Sequence, residues 1–292
     1  MQTRTISQGD SRNGPNPARA VGLPVRDGIY SVLALRPYRE LLHGISTRMA
    51  PDGTDWNLSA RRGTPANPPD PEVALFNRAR FAEGLGISLD RIVGCQQVHG
   101  TEVALVGDED AGKGMLPDLP SIQGCDALVT ATPGLYLLAL SADCPPVFFY
   151  DPVHRAIGLA HSGWKGTVGR ISASVVAAMG RHFGSRPEDI VAVVGPGIGP
   201  CCYKVGPNVV EAVETAFARP WSLRSQLLDI YDGEIYFNLW EAIRRALVEA
   251  GVPPRNVAID GLCTMHNTGT FYSHRGEAGK CGLFGAVFGL RE

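Results

Sequence analysis

The sequence has few charged residues and no long block of either sign. Charged side chains make up 19% of the 292 residues, and the formal net charge is −2. A nucleic-acid or membrane-surface partner is bound through a basic face, so this pattern argues against both and favours a small-molecule partner. No apolar run reaches the roughly 20 residues that a membrane-spanning helix needs.

The N-terminal residues lack the apolar core of a signal peptide. Residues 1–26 are rich in Gln, Ser, Asn, Gly and Pro, which predicts a flexible arm ahead of a single domain at 27–292. The chain has seven cysteines, and an odd number without a signal peptide indicates reduced thiols and a cytoplasmic protein. With 44% hydrophobic residues, a chain of this length buries a core without disulfide bonds.

Short apolar runs outnumber amphipathic helical segments along the chain. Helices are predicted at 72–85, 166–183, 208–217 and 238–250, with Asp70 as the cap of the first and Gly251 as the stop of the last. Strands are predicted at 29–35, 91–98, 103–106, 127–130, 135–140, 147–150, 156–160, 190–194, 257–259 and 283–288. Their order is not a strict β-α-β alternation, so the sequence predicts an α+β fold with mixed sheets.

Three side chains that suit a metal ion each follow a predicted strand. They are His99, Cys144 and His161. Zinc accepts one thiolate with two imidazoles, and three protein ligands leave a fourth position for water or substrate, as in catalytic sites. The spacing alone is not a metal motif, and a core cysteine with two hydrogen-bonded histidines is the alternative.

A glycine-rich stretch at 195–200 precedes two adjacent cysteines. It fails as a dinucleotide-binding fingerprint because Pro200 stands where the third glycine is required. Adjacent cysteines are poorly placed for an ordinary disulfide. Cys201 and Cys202 are therefore interpreted as packing thiols or occasional metal scavengers.

Several ordered motifs resemble those of the laccase-domain, or YfiH-like, family of multicopper polyphenol oxidoreductases, which are described as purine nucleoside phosphorylases. The resemblance covers the chain from about His43 to the C-terminus. The main motifs are QQVHG at 96–100, ADCPP at 142–146 and HSGWKG at 161–166. Further agreement is found at 43–48, 57–58, 77–78, 194–203, 263–264 and 271–275.

The resemblance implies a layered fold of mixed β-sheets flanked by helices, and it implies a zinc enzyme. His99, Cys144 and His161 would bind the zinc, with copper as the second candidate metal. The implied reactions are phosphorolysis of adenosine, inosine, guanosine and methylthioadenosine, and hydrolytic deamination of adenosine. Purine nucleosides and phosphate are thus the expected partners.

Other side chains in or beside the matched motifs are candidates for catalysis and substrate binding. Cys144 and Asp143 are the catalytic candidates, Asp143 as a proton carrier; the alternative for Asp143 is a hydrogen bond to the loop backbone. The candidates for contact with substrate are Arg48, Gln97, Lys165 and Arg275. Each cation is alternatively an ordinary surface charge.

Three other functions remain open from the sequence. A metal-free hydrolase would use Cys144 as nucleophile with a histidine base, as in the toxin deamidases whose fold the family's is similar to. A copper phenol oxidase would need paired histidines, whereas the seven histidines here are isolated. A non-catalytic metal-binding protein would close the site with a fourth ligand such as Cys263.

Overall fold

Two six-stranded sheets form the centre of the computed structural model, which describes residues 25–217 and 227–292. Sheet one contains, in spatial order, Val25–Arg26 (β1), Ile29–Tyr30 (β2), Leu41–Ser46 (β3), Phe284–Leu290 (β14), Tyr136–Ser141 (β7) and Ile92–Gly94 (β4). Sheet two contains Val257–Ile259 (β13), Val191–Val194 (β10), Pro146–Asp151 (β8), Ala156–His161 (β9), Ala127–Thr130 (β6) and Val103–Leu105 (β5). Leu228–Tyr231 (β11) and Glu234–Phe237 (β12) form a separate hairpin.

Both sheets are mixed, as the sequence predicts. The pair β4–β7 is parallel in sheet one, and β5–β6 and β10–β13 are parallel in sheet two. The sheets pack face to face through apolar side chains; the rings of Phe148 and Phe288, one from each sheet, meet edge-on with centroids 5.3 Å apart. This shared core excludes water between the sheets and fixes the strand ends on which the candidate site is built.

Helices cover the outer faces of the two sheets. The described residues form helices at Pro71–Leu85 (α1), Trp164–Val168 (α2), Ile171–Phe183 (α3), Pro207–Ala216 (α4) and Leu239–Glu249 (α5). Trp56, which precedes α1 in the chain, and Phe81 within α1 belong to the core on the outer face of sheet one. Val175 of α3 and Ile243 of α5 belong to the core on the outer face of sheet two. The expected layered α+β fold with helices on both sides is confirmed.

The helix predictions are confirmed at ends that are capped by residues next to the helix in the sequence. The carboxylate of Asp70 accepts hydrogen bonds from the amides of Glu72 and Val73 at the start of α1. The single helix predicted at 166–183 is wrong, because Arg170 adopts a left-handed conformation with φ 71° and separates α2 from α3. Gly169 precedes this break, and a Cβ there would lie 2.7 Å from a side-chain carbon of Thr101.

Some strand predictions were too long and four strands were missed. The run predicted at 29–35 is a strand only over Ile29–Tyr30, because Val32 and Leu35 reach the core from a turn of 3-10 helix instead. The missed strands are β1, β3, β11 and β12. The predicted arm at 1–26 lies outside the described residues except for Val25 and Arg26, which form β1.

None of the helices in the described ranges is both long enough and apolar enough to span a bilayer.

Candidate active site

The three predicted metal-binding side chains converge at one end of the sheets. The donor atoms of His99, Cys144 and His161 all lie within 4.8 Å of one another. The two imidazole rings meet edge-on with centroids 4.8 Å apart. One thiol and two imidazoles at this separation form a donor set that suits a divalent metal ion.

Strand ends bring these residues together across both sheets. Cys144 lies in the connection from β7 in sheet one to β8 in sheet two, and His161 is the last residue of β9. Pro146 of β8 pairs with His161, so the Cys144 turn lies beside the histidine. His99 follows β4 and has a left-handed backbone with φ 61°, a conformation that costs a non-glycine residue energy and is concentrated at functional sites.

Gly163 leaves the space in which these donor groups meet. It lies two residues after His161, immediately before α2. A Cβ at this position would lie 2.9 Å from the sulfur of Cys144 and 3.2 Å from Cδ2 of His99. Real Cβ atoms essentially never lie within 3.0 Å of a heavy atom, so a side chain at residue 163 would displace the Cys144 sulfur, and His99 would have to move by a few tenths of an ångström.

Asp126 is a functional residue that the sequence reasoning missed. It is buried, and its Oδ1 lies 2.9 Å from Nδ1 of His161. Its two oxygens also accept hydrogen bonds from the amides of Val98, His99 and Gly100. Asp126 therefore orients His161 so that Nε2 is free to bind a metal, and it fixes the loop that carries His99. An isolated acidic residue just before a predicted strand was the available signal.

The electrostatics of the site favour a thiolate next to an imidazolium. Burial alone would raise the pKa of the Cys144 thiol, but the neighbouring His161 and His99 lower it to about 6. Burial alone would lower the pKa of His161, but Cys144 and Asp126 raise it to about 9. Burial would raise the pKa of Asp126, yet its hydrogen bonds to His161 and to the amides of Gly100 and Val98 hold it below the ordinary value. These surroundings therefore favour the thiolate form of Cys144, which is the form that binds metals and attacks electrophiles.

A cavity of about 490 Å³ opens beside the three donors. This volume is typical of sites for small ligands. His99, Cys144 and His161 lie on its wall, and a cationic group lines another part of it: Arg61, Arg62 and Arg78. The remaining wall is largely apolar and includes Leu75, Met115, Leu138 and Leu140.

The three arginines of the cavity differ in how they are held. Arg78 donates to the backbone carbonyls of Leu58 and Gly114, so its guanidinium is fixed in place. Arg62 contacts Nδ1 of His274 at 3.0 Å. The side chain of Arg61 is exposed and makes no hydrogen bond or ion pair with the described residues. The Arg61 guanidinium is therefore available for an anion, and Arg62 lines the cavity beside it with one of its nitrogens engaged by His274. Neither residue was among the predicted substrate residues.

The predicted substrate residues are divided between the cavity and its surroundings. Gln97 lines the cavity, but its amide makes two 2.8 Å hydrogen bonds with the backbone of Leu140. Arg48 is not among the lining residues; its guanidinium pairs with Glu277 at 2.9 Å and donates to the carbonyl of Thr268.

Lys165 and Arg275 also lie outside the lining of the cavity. Lys165 is exposed, with its ammonium 5.8 Å from the ring centre of its neighbour Trp164. The guanidinium of Arg275 donates to the carbonyl of Lys204 and covers the ring of Tyr203. Both side chains therefore contact other parts of the protein and do not line the cavity.

Asp143 lies behind Cys144 with both carboxylate oxygens occupied. Oδ1 accepts from the hydroxyls of Thr264 at 2.5 Å and Ser273 at 2.7 Å, and Oδ2 accepts from the amide of Arg275 at 2.6 Å. The residue is buried and does not line the cavity. This geometry favours the hydrogen-bonding alternative over proton transfer, because the carboxylate ties the Cys144 turn to the C-terminal segment.

A second group of metal-binding side chains lies in the described residues. The donor atoms of Cys201, Cys202, Cys263 and His266 are all within 4.8 Å of one another. Cys263 therefore belongs to this group and not to the group around Cys144, so it does not supply the fourth ligand that the non-catalytic alternative would need there.

The chain is similar to proteins whose names concern purine nucleosides. The model of a family described as multi-copper polyphenol oxidoreductase laccase matches residues 53–291. The purine nucleoside phosphorylase YlmD of Geobacillus stearothermophilus is 36% identical over 220 residues, which is 74% of this chain and 78% of that protein. The adenosine deaminase RL5 of an unknown prokaryotic organism is 34% identical over 69% of this chain and 76% of its own length.

The fold is also similar to that of a solved structure. The crystal structure of the hypothetical protein YfiH of Bacillus licheniformis has a TM-score of 0.81 and 31% sequence identity, and the match covers 92% of this chain and 98% of that one. The resemblance drawn from the sequence motifs is confirmed by these comparisons.

Proposed function

This chain belongs to the multi-copper polyphenol oxidoreductase laccase family, and we propose that it is a zinc-dependent purine nucleoside phosphorylase. The observation that carries the proposal is the cavity whose lining includes both the donors His99, Cys144 and His161 and the cations Arg61 and Arg62. Phosphorolysis requires an anion site and a nucleoside site in one cavity, and this cavity offers both.

The three donors suit a single zinc ion better than they suit a multicopper centre. The donor set is one thiolate and two imidazoles; His99, Cys144 and His161 would hold the ion, and three protein ligands would leave a fourth coordination position for water or substrate. A zinc ion held there supplies Lewis-acid polarisation of a substrate oxygen or nitrogen. Asp126 keeps the His161 ring in one tautomer, and Gly163 leaves room for the ligands.

The cations in the cavity supply the phosphate site of the proposal. Arg61 and Arg62 line the cavity, whereas Arg48, Lys165 and Arg275 do not, so we propose the first two as the residues that contact phosphate. Guanidinium groups bind phosphate oxygens through paired, charge-assisted hydrogen bonds. The apolar wall around Leu138 and Leu140 would then hold the purine ring.

The proposed reaction balances without a redox step. A phosphate oxygen forms a bond to C1′ of the ribose while the bond from C1′ to the purine nitrogen breaks. The purine leaves with that electron pair and takes up the proton that the attacking phosphate gives up, and the products are the free purine and ribose 1-phosphate. The chain's own part is to orient the two substrates, exclude water and place positive charge beside phosphate. Adenosine deamination in the same cavity is the accompanying activity, as in the relative named for it.

The test is an incubation of metal-analysed protein with adenosine, with and without phosphate, followed by chromatography of the products. We expect adenine and ribose 1-phosphate only when phosphate is present, and inosine in its absence if the deaminase activity accompanies it. Cys144→Ala, which removes the thiolate of the donor set, should abolish both. Zinc-loaded protein that yields neither product would exclude the purine assignment.

One observation favours a metal-free cysteine hydrolase as a second candidate. With the pKa of Cys144 lowered to about 6 and that of His161 raised to about 9, the pair has the charges of a nucleophile and its general acid. Such an enzyme would keep its activity after dialysis against a chelator. Loss of all activity on chelation, and its return with zinc, would exclude the second candidate.

We also propose that the protein works in the reducing cytoplasm. All seven cysteines are free, and three of them, Cys201, Cys202 and Cys263, belong to the second donor group. Alkylation of a freshly lysed cell extract followed by peptide mass analysis should find all seven as thiols or metal thiolates.

A further inference from the structure

Outside the cavity, four donor side chains meet between two loops, and they are called the second cluster below: Cys201, Cys202, Cys263 and His266. Every pair of their donor atoms lies within 4.8 Å. The sulfur of Cys202 is 3.2 Å from Nε2 of His266, and the sulfur of Cys201 is 3.6 Å from Nδ1 of the same ring. None of the four lines the cavity of the candidate active site.

Backbone contacts hold the two loops of the second cluster in register. The glycine-rich loop after β10 carries Cys201 and Cys202, and the loop after β13 carries Cys263 and His266 in C-x-x-H spacing. Gly197 forms an isolated parallel bridge with Cys263, and the amide of Gly199 donates to the sulfur of Cys263 at 3.3 Å. The donors are thus positioned by the fold rather than by chance meetings of mobile side chains.

Core packing does not account for this arrangement. Only Cys263 is buried; Cys201 and His266 are exposed and Cys202 is partly exposed. A thiol that serves packing is usually buried among apolar side chains, whereas two of these thiols face solvent and an imidazole. The convergence of three sulfurs and one ring nitrogen needs a different explanation.

We propose that the second cluster binds one zinc ion through three thiolates and one imidazole, as a closed structural site separate from the candidate active site. Four protein ligands of this type complete a tetrahedral zinc ion and leave no position for substrate. With zinc–sulfur bonds of about 2.3 Å, ligand atoms lie about 3.8 Å apart. The two sulfur–nitrogen distances of 3.2 and 3.6 Å are already shorter than this, and no pair of donor atoms has to close by more than about an ångström. Rotation of the exposed His266 side chain presents one of its ring nitrogens to the ion.

The ion would join two segments that donate hydrogen bonds to Asp143, the residue before Cys144. Thr264, next to Cys263, donates to the carboxylate of Asp143, and the amide of Ile198 donates to the carbonyl of Asp143 at 2.7 Å. Asp143 in turn precedes Cys144. A zinc ion in the second cluster therefore holds the loops that fix the Cys144 turn, without contact with substrate.

The test counts zinc in the full-length protein purified without chelator from zinc-supplemented cells. We expect about two zinc ions per chain in the wild type, and about one in the double variant Cys144→Ala/His161→Ala. The double variant Cys202→Ser/His266→Ala should also retain about one. Cys95→Ser and His182→Ala, a cysteine and a histidine outside both clusters, should retain about two.

Cobalt substitution gives a second readout that does not depend on counting alone. Thiolate-to-cobalt absorption increases with the number of thiolates on the ion, which is three in the second cluster and one in the first. The variant Cys144→Ala/His161→Ala should therefore keep most of this band, and Cys202→Ser/His266→Ala should lose most of it.

Two results would overturn the proposal. One is a wild-type zinc content of about one that falls to zero in Cys144→Ala/His161→Ala and is unchanged in Cys202→Ser/His266→Ala. The other is a disulfide between Cys201 and Cys202 in peptide mass analysis of protein handled under anaerobic conditions. Neither depends on whether the protein cleaves nucleosides, so the two proposals can fail separately.

Discussion

The two donor clusters differ in number of ligands, exposure and surroundings. The first has three donors on the wall of a cavity, and its histidine His161 is buried and held by Asp126. The second has four donors between two loops near the surface, and none of them lines the cavity. Both draw on cysteine and histidine, so residue type does not separate them.

The comparison indicates that the two proposed roles differ in whether the fourth coordination position of the metal ion is open, and not in the types of ligand. A cluster with three protein donors next to a cavity leaves room for a substrate on the ion, whereas four protein donors fill the coordination sphere. The carboxylate of Asp126 behind His161 also supports a catalytic role for the first cluster, because catalytic metal ligands are commonly oriented by a further hydrogen bond.

The largest expected effect comes from removing each cluster in turn. Cys144→Ala should lower phosphorolysis by at least ~10³-fold, since a metal contributes several kcal/mol to the transition state, and should change the melting temperature little. His266→Ala should lower activity less than ~10-fold but lower the melting temperature by several degrees, because a structural ion contributes to folding. Kinetics and thermal melts of both variants check this, and the reverse pattern would exchange the two roles.

Asp126→Asn tests the support behind the first cluster. We expect zinc affinity and activity to fall by about 10- to 100-fold, because the amide cannot fix the His161 tautomer or accept all of the backbone hydrogen bonds. Zinc content after graded chelation provides the measurement.

Asp151→Asn is the matched control for this substitution. Asp151 is also buried, and its Oδ2 lies 2.8 Å from Nδ1 of His154 in a pair that belongs to neither cluster. This variant should keep its zinc affinity; equal losses in the two variants would assign the effect of Asp126→Asn to general destabilisation.

Arg61→Ala tests the anion side of the cavity. The KM for phosphate should rise about 10-fold with a smaller change in the KM for adenosine, because one charge-assisted contact is lost. Arg255→Ala, at a residue that does not line the cavity, serves as the control. A parallel rise in both KM values in Arg61→Ala would argue against a phosphate contact.

Gly163→Ala tests the space between the ligands of the first cluster. A Cβ 2.9 Å from the sulfur of Cys144 should lower zinc affinity about 10-fold, while the second cluster keeps its ion. Gly269→Ala adds a Cβ where no heavy atom lies within 4 Å, so its zinc affinity should match that of the wild type. Competition with a chromogenic chelator resolves the two sites.

His43 affects stability rather than activity or metal binding, and it separates metal loss from acid unfolding. Burial, with the charges of Arg36 and Arg291, lowers its pKa from 6.5 to about 4. Between these values the unfolded chain takes up a proton that the folded chain does not, so stability falls as pH falls, by at most about 3 kcal/mol. Denaturant unfolding of metal-free His43→Gln should show a weaker loss over this range than the wild type. An identical slope would remove His43 as the cause.

Local signals made part of the fold and the site predictable. Asp70 and the glycine that follows α1 set the ends of that helix through contacts with residues nearby in sequence. His99, Cys144 and His161 were found because each stands in a recognisable motif at a strand end. These features depend on a few neighbouring residues and so can be read from the sequence.

Features that depend on pairing between distant segments were missed. The role of Asp126 follows from the pairing of Ala127 in β6 with Ala160 in β9, which places it beside His161. The grouping of Cys201 with Cys263 requires two loops to meet through the Gly197 bridge. The sequence places such residues tens of positions apart, and only the sheet register brings them together.

The position of β14 has a consequence for how the protein is made. This strand ends two residues before the C-terminus, yet it lies inside sheet one between β3 and β7. During synthesis sheet one therefore cannot close until β14 has been translated, although all ligands of both clusters come earlier in the chain. The nascent protein must keep these thiols from wrong partners while this central strand is still missing.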